Sequence, residues 1–162
     1  MFLVQPVQKE EAEGELKMLY RVVEKNFGFI PAHFELFATL DREGMKEFLS
    51  HSERVLQSEK ISQHFLALLR LELAKRECRE YCIAFNSAIV AKNRESLDET
   101  QLLIMQKVLK AIYETELFTK RDLEELFSVG FSHKEYFLLL SYATNFMAKS
   151  KLIEIYRKRE LK

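Results

Sequence analysis

The chain has 162 residues, 48% of them apolar, enough to bury a core and too hydrophobic for a disordered segment. Its 25 basic and 25 acidic residues cancel, which leaves no global field to draw in nucleic acid or an anionic membrane. Two cysteines are too few for a secreted disulfide scaffold.

The N-terminal Met1-Phe2-Leu3-Val4-Gln5-Pro6 has no basic region and stops short of a signal sequence. The longest apolar stretch, Tyr136 to Met147, contains Ser141, Thr144 and Asn145 and falls below the roughly twenty residues a membrane span needs. A soluble, cytoplasmic protein is expected. A local basic run, Tyr156-Arg157-Lys158-Arg159, is followed at once by Glu160, so no nucleic-acid partner is expected.

Taken in order, the apolar residues recur at helical spacing. Leu16, Leu19, Tyr20, Val23 and Phe27 predict an amphipathic helix over roughly 8–26. Gly28 suits the left-handed position after its end, and Pro31 suits the first turn of the next helix. That second helix runs from Ala32 to Leu40, and Asp41 is the expected N-cap of a third reaching about Gln57. Ser58 is the expected cap of a long fourth, with Ile61, Phe65, Leu68, Leu69 and Leu73 facing the core. A cysteine-bearing helix follows and runs to about Asn93. Ser96-Leu97-Asp98-Glu99 reads as a capping box for the next helix, whose apolar face includes Leu102, Met105, Val108 and Ile112.

Thr119-Lys120-Arg121-Asp122 opens a helix to Ser128, which Gly130 ends. Ser132-His133-Lys134-Glu135 is a further capping box, starting a helix to about Tyr156. Between 136 and 147 this last helix is apolar nearly all round, which predicts neighbours on several sides, a second subunit among the candidates. Nothing alternates with period two. The predicted fold is all-α.

Reactive groups concentrate in one stretch, Glu77 to Ala88. Read as helix, it stacks Cys78, Cys82 and Asn86 on one face. A disulfide between the cysteines would then need distortion: Cβ atoms four residues apart on a helix are roughly 5–6 Å apart, against about 3.5–4.5 Å in a disulfide. Cys82 reads either as a small buried hydrophobe or as a reactive thiol, and Cys78 as structural or incidental. The cysteines with His64 supply too few ligands for a closed zinc site, so no metal is expected. His33, His51 and His133 are scattered, which suits surface or packing roles. Phosphate loops, dinucleotide fingerprints and serine–histidine–acid patterns do not occur.

Four segments resemble one family in the right order. Phe27-Gly28-Phe29-Ile30-Pro31-Ala32-His33-Phe34 resembles the FGxxPxxF turn of AhpD-like proteins, in the carboxymuconolactone decarboxylase family. Arg79 to Asn86 is similar to that family's CxYCxxxH box. Phe118 to Leu123 with Val129-Gly130-Phe131-Ser132 is similar to its TxxD…G[LF]S segment, and Asn145-Phe146-Met147 to the NFM that follows. The match spans about Leu19 to Leu152. It implies one compact AhpD-like domain over 1–162, with about seven or eight helices and a tendency to oligomerise. It also implies thiol chemistry, in which a CxxC pair reduces peroxide with help from a histidine and an upstream glutamate.

The chain departs from that pattern. Aligned through Tyr81-Cys82, Arg79 stands at the first cysteine, Asn86 at the histidine and a position near Ala67 at the glutamate. Asn86 can hydrogen-bond but cannot take a proton. Arg79, three residues before Cys82, can favour a thiolate by its charge. His64, about a turn from the lost glutamate position, is the other conceivable base.

The expected function is thiol-dependent peroxide or disulfide reduction with weakened or altered activity. Cys82 is its thiol and Cys78 its resolving partner, with Arg79, Tyr81, Asn86 and His64 around them. No cofactor is expected, and the expected partners are further copies of the chain and a thiol reductant protein. The alternative is a catalytically inactive oligomeric binding or scaffold protein that retains the fold.

Overall fold

The structure is a computed structural model and describes residues 2–93 and 95–157. Lys158, Arg159 and Glu160 of the basic run lie outside the described residues. Those described form eight α-helices: α1 (Gly14–Phe27), α2 (Ala32–Leu40), α3 (Arg42–Val55), α4 (Gln63–Arg76), α5 (Glu80–Val90), α6 (Glu99–Tyr113), α7 (Lys120–Ser128) and α8 (His133–Tyr156). Extended pairing among them is limited to an isolated antiparallel bridge between Phe2 and Arg157. The fold is all-α, as the periodicity predicts. No helix among these residues is long and apolar enough to cross a membrane.

Two compact units emerge: the first 50 residues with the chain from Ile153 onward, and His51–Leu152. In the first unit, α1 buries Leu16, Leu19, Tyr20 and Val23. It starts later than its apolar pattern suggests: Gly14, at φ 52°, prevents the helix from running back, and Lys9–Glu11 forms a separate 3-10 turn. Gly28 ends α1 at φ 78°, its N–H bonded to the Glu24 carbonyl at 2.7 Å. Pro31 is the N-cap of α2 rather than its first helical residue. The Tyr20 hydroxyl donates to the Val7 carbonyl at 2.7 Å, and burial pushes its pKa up to about 12.

In the second unit α4 is the inner helix. It buries His64, Phe65, Leu66, Ala67, Leu69, Leu71, Leu73 and Ala74, a far wider face than the predicted stripe. Ser62 caps it, accepting from the Phe65 N–H at 3.0 Å. Ser58, the expected cap, lies in the preceding turn, and its hydroxyl donates to Glu135 Oε1 at 2.7 Å. The capping box of α6 is likewise shifted: Asp98 and Gln101 form it, with the Gln101 N–H on Asp98 Oδ1 at 2.7 Å.

The boxes that open α7 and α8 stand where predicted. Asp122 accepts from the Thr119 N–H at 2.8 Å, and Glu135 from the Ser132 N–H at 2.8 Å. Asp122 is also gripped by Lys107 at 2.7 Å and Lys110 at 2.9 Å. Hydrogen bonds from Lys107, then Lys110, then Thr119 hold its carboxyl far below the usual carboxylate range. Burial opposes ionisation of Glu135, but bonds from Ser132 and Ser58 outweigh it and keep that carboxyl low.

On α8, Tyr136, Leu139, Tyr142, Ala143 and Phe146 are buried, whereas Phe137 is 74% exposed. The helix is therefore not covered all round by the described residues.

Candidate functional site

The site forms where α4 ends and α5 begins. Two backbone bonds close α4: Cys78 N–H to the Lys75 carbonyl at 3.1 Å and Arg79 N–H to the Ala74 carbonyl at 2.9 Å. This is a Schellman turn, which needs a left-handed residue just past the helix end. Glycine usually fills that position. Here Cys78 does, at φ 53°, the sole non-glycine with positive φ among the described residues. A side chain there costs about 1–2 kcal/mol.

Cys78 is therefore not on a helix and does not stack beneath Cys82. It sits exposed in the turn while Cys82 is buried, and the two are not joined in a disulfide. The geometric objection to a disulfide, which assumed both residues on one helix, no longer applies. The sequence obscured this because no glycine or proline marks the break.

Arg79 is the N-cap of α5, so Cys82 is its third helical residue, within the first turn. There the helix dipole favours an anion. The Arg79 guanidinium pairs with Glu77 at 3.3 Å, and its Nε is buried with no hydrogen-bond partner among the described residues. The Tyr113 hydroxyl is also buried without one. Arg76 lies over the Tyr113 ring, 5.0 Å from its centre. Burial, then the Glu77 carboxylate, pushes the Tyr113 pKa up to about 12. Tyr81 stacks on Phe85, with ring centres 6.4 Å apart and planes 2° from parallel.

Cys82 and Asn86 do share a face of α5, as predicted, and are its buried residues. Asn86 is doubly engaged. Its Nδ2 donates to the Cys82 carbonyl at 2.9 Å, and its Oδ1 accepts from Arg70 Nε at 2.9 Å. Those two bonds fix the amide's orientation. Arg70 Nη1 then donates to the Tyr142 hydroxyl at 2.7 Å. The His51 ring stands edge-on to Tyr142, 5.8 Å away, and its Nε2 lies 3.0 Å from the Leu138 carbonyl. A carbonyl can only accept, so Nε2 carries the hydrogen in that contact.

Arg70, Tyr142 and His51 were not singled out as site residues from the sequence. Their partners lie 16, 72 and 87 positions away, so no local pattern could reveal them. His64 is buried in the first turn of α4, about 9 Å of helix rise from Arg70. Ala67, near the position where the resemblance calls for a glutamate, is fully buried and has no acid to offer. Among the described residues, no three His, Cys, Asp or Glu side chains converge as a metal-binding group.

No family model matches the chain. No curated protein matches it either. Among solved structures it is similar to an alkylhydroperoxidase AhpD core, an uncharacterized peroxidase-related protein from Ralstonia eutropha. The TM-score is 0.73 at 14% identity, over 96% of this chain and 92% of that one. The fold is therefore AhpD-like, and at this identity the likeness is one of fold.

Proposed function

We propose that this AhpD-like protein carries out thiol-dependent reduction of peroxides or disulfides, with activity weakened or altered by its replaced proton relay. The observation that carries the reading is the placement of Cys82 in the first turn of α5, with Cys78 exposed in the strained turn just before that helix. The helix dipole favours the thiolate, while burial opposes it.

In the proposed cycle the Cys82 thiolate attacks the peroxide O–O bond. It becomes a sulfenic acid, and the alcohol or water leaves. The Cys78 thiol displaces hydroxide, which departs as water, and a disulfide forms. A dithiol reductant protein supplies the two electrons and two protons that restore both thiols. Neither Ala67 nor Asn86 can move a proton, so the general acid–base part, about 10²–10⁴-fold, is the part this chain forgoes. His51 and His64 are the buried imidazoles nearest in type to the missing base.

Peroxide consumption by the pure protein with a dithiol reductant tests the reading. Cys82→Ser is expected to abolish turnover, and Cys78→Ser to stop it after one equivalent at the sulfenic acid, trapped by dimedone and seen by mass. Turnover unchanged in Cys82→Ser would sink the proposal.

The other reading is an inactive oligomeric scaffold. It is favoured by the bonds that tie Asn86 to Arg70 and the Cys82 carbonyl, a structural use of the position where the family resemblance calls for a histidine. Robust peroxide or disulfide turnover would count against it. Under both readings the chain is a single cytoplasmic AhpD-like domain, 1–162, that self-associates. The exposed Phe137 and the half-exposed Ile83 and Phe85 support self-association. A monomeric mass in light scattering at micromolar concentration would contradict it.

A further inference from the structure

We propose that Arg70, held by Asn86 and Tyr142, is a receptor for the carboxylate of a small organic acid. This stands apart from the thiol chemistry and does not depend on it. A guanidinium taken partly out of water is normally paired with an anion, because a lone desolvated charge is costly. Arg70 is half-buried, yet its partners are neutral: the Asn86 amide oxygen and the Tyr142 phenol. It makes no ion pair among the described residues.

The surroundings explain why. On α4 the positions one turn either side of Arg70 are Leu66, Ala67, Leu73 and Ala74. The positions one turn from Asn86 on α5, and from Tyr142 on α8, likewise include no acid. All three helices approach the guanidinium without a counter-ion.

The two anchors also leave a usable edge. A guanidinium has five N–H donors in a fixed fork. One on Nε and one on Nη1 are taken, and the remaining Nη1 hydrogen with both on Nη2 are not. Nη2 makes no hydrogen bond to a described residue and is not one of the buried unpartnered atoms, so it reaches solvent. Nη2 is thus open, and a planar carboxylate is the anion that a guanidinium fork matches. With one cation in the network, a singly charged ligand balances the charge and a phosphate dianion does not.

The test is a titration of the full chain, at constant ionic strength, with benzoate in one arm and inorganic phosphate in the other. The readouts are the Arg70 Nε–H and Asn86 side-chain amide resonances in ¹⁵N NMR. Benzoate is expected to give a saturable shift of both, with phosphate at least about tenfold weaker, and Arg70→Met should abolish the benzoate response. Asn86→Asp places a carboxylate on the guanidinium from within. It should also suppress benzoate binding, which covers the case in which Arg70→Met does not fold. Absence of a saturable benzoate shift in the wild type would overturn the site. An equal response to phosphate would overturn the carboxylate assignment, and benzoate binding retained in Asn86→Asp would place the anion elsewhere.

Discussion

Replacing Asn86 by Ala isolates the bond that ties α5 to the arginine. Asn86 is 1% exposed, so its removal leaves the Arg70 Nε–H facing a gap rather than water. A hydrogen bond to a charged donor contributes about 1.5–3 kcal/mol. The second bond, to the Cys82 carbonyl, matters less. That oxygen lies inside α5, where the backbone amide four residues on already reaches it, and the loss is about 0.5–1 kcal/mol. The expected destabilisation is therefore about 2–4 kcal/mol, read as a lower urea midpoint with an unchanged m-value. A double-mutant cycle with Arg70→Met separates the terms: without the arginine, Asn86→Ala should cost only about 1 kcal/mol, a coupling of about 1.5–3 kcal/mol. A coupling below about 0.5 kcal/mol would refute the argument, because the amide would then not be holding the guanidinium.

The turn at Cys78 and the end of α1 predict changes of opposite sign. Cys78→Gly relieves a left-handed side chain and should stabilise by about 1 kcal/mol, whereas Gly28→Ala, at φ 78° with open space around an added Cβ, should destabilise by about 1–2 kcal/mol. Thermal unfolding of the reduced proteins checks both, and equal signs would contradict the assigned backbone. Asp122 predicts an acid dependence. Its folded pKa lies below the unfolded value of about 3.9, so its contribution is complete above that pH and is lost as pH falls below it towards the folded value. Asp122→Asn should therefore be less stable than wild type at pH 7, with a gap in urea midpoint that narrows below about pH 4; a constant gap would show that the carboxylate's charge contributes nothing. Native alkylation by a bulky reagent should label Cys78 before Cys82, because only Cys78 is exposed, and peptide mass spectrometry reads the order directly.

The features legible in the sequence are those decided within about one helical turn. The apolar spacing of Leu16, Leu19, Tyr20 and Val23 buries one face of α1, and Gly28 ends that helix because a left-handed residue must. The Thr119–Asp122 and Ser132–Glu135 boxes work because their donors and acceptors lie three residues apart. The shared face of Cys82 and Asn86 follows from the same helical period. Ser58 and Ser96 were misleading because several residues in one turn can cap, and packing selects among them; Ser62 and Asp98 are the caps that form.

Tertiary structure alone decided the chemistry around those landmarks. Cys78 left the helix because α4 closes on a Schellman turn, and nothing in the residue type announces a cysteine at a glycine position. Arg70, Asn86 and Tyr142 come from three helices, and a hydrogen bond between helices leaves no periodic trace in any of them. Periodicity reports which face of a helix is buried. What that face meets depends on how the helices pack, and here packing brought a guanidinium to the asparagine that stands where the family resemblance calls for a histidine.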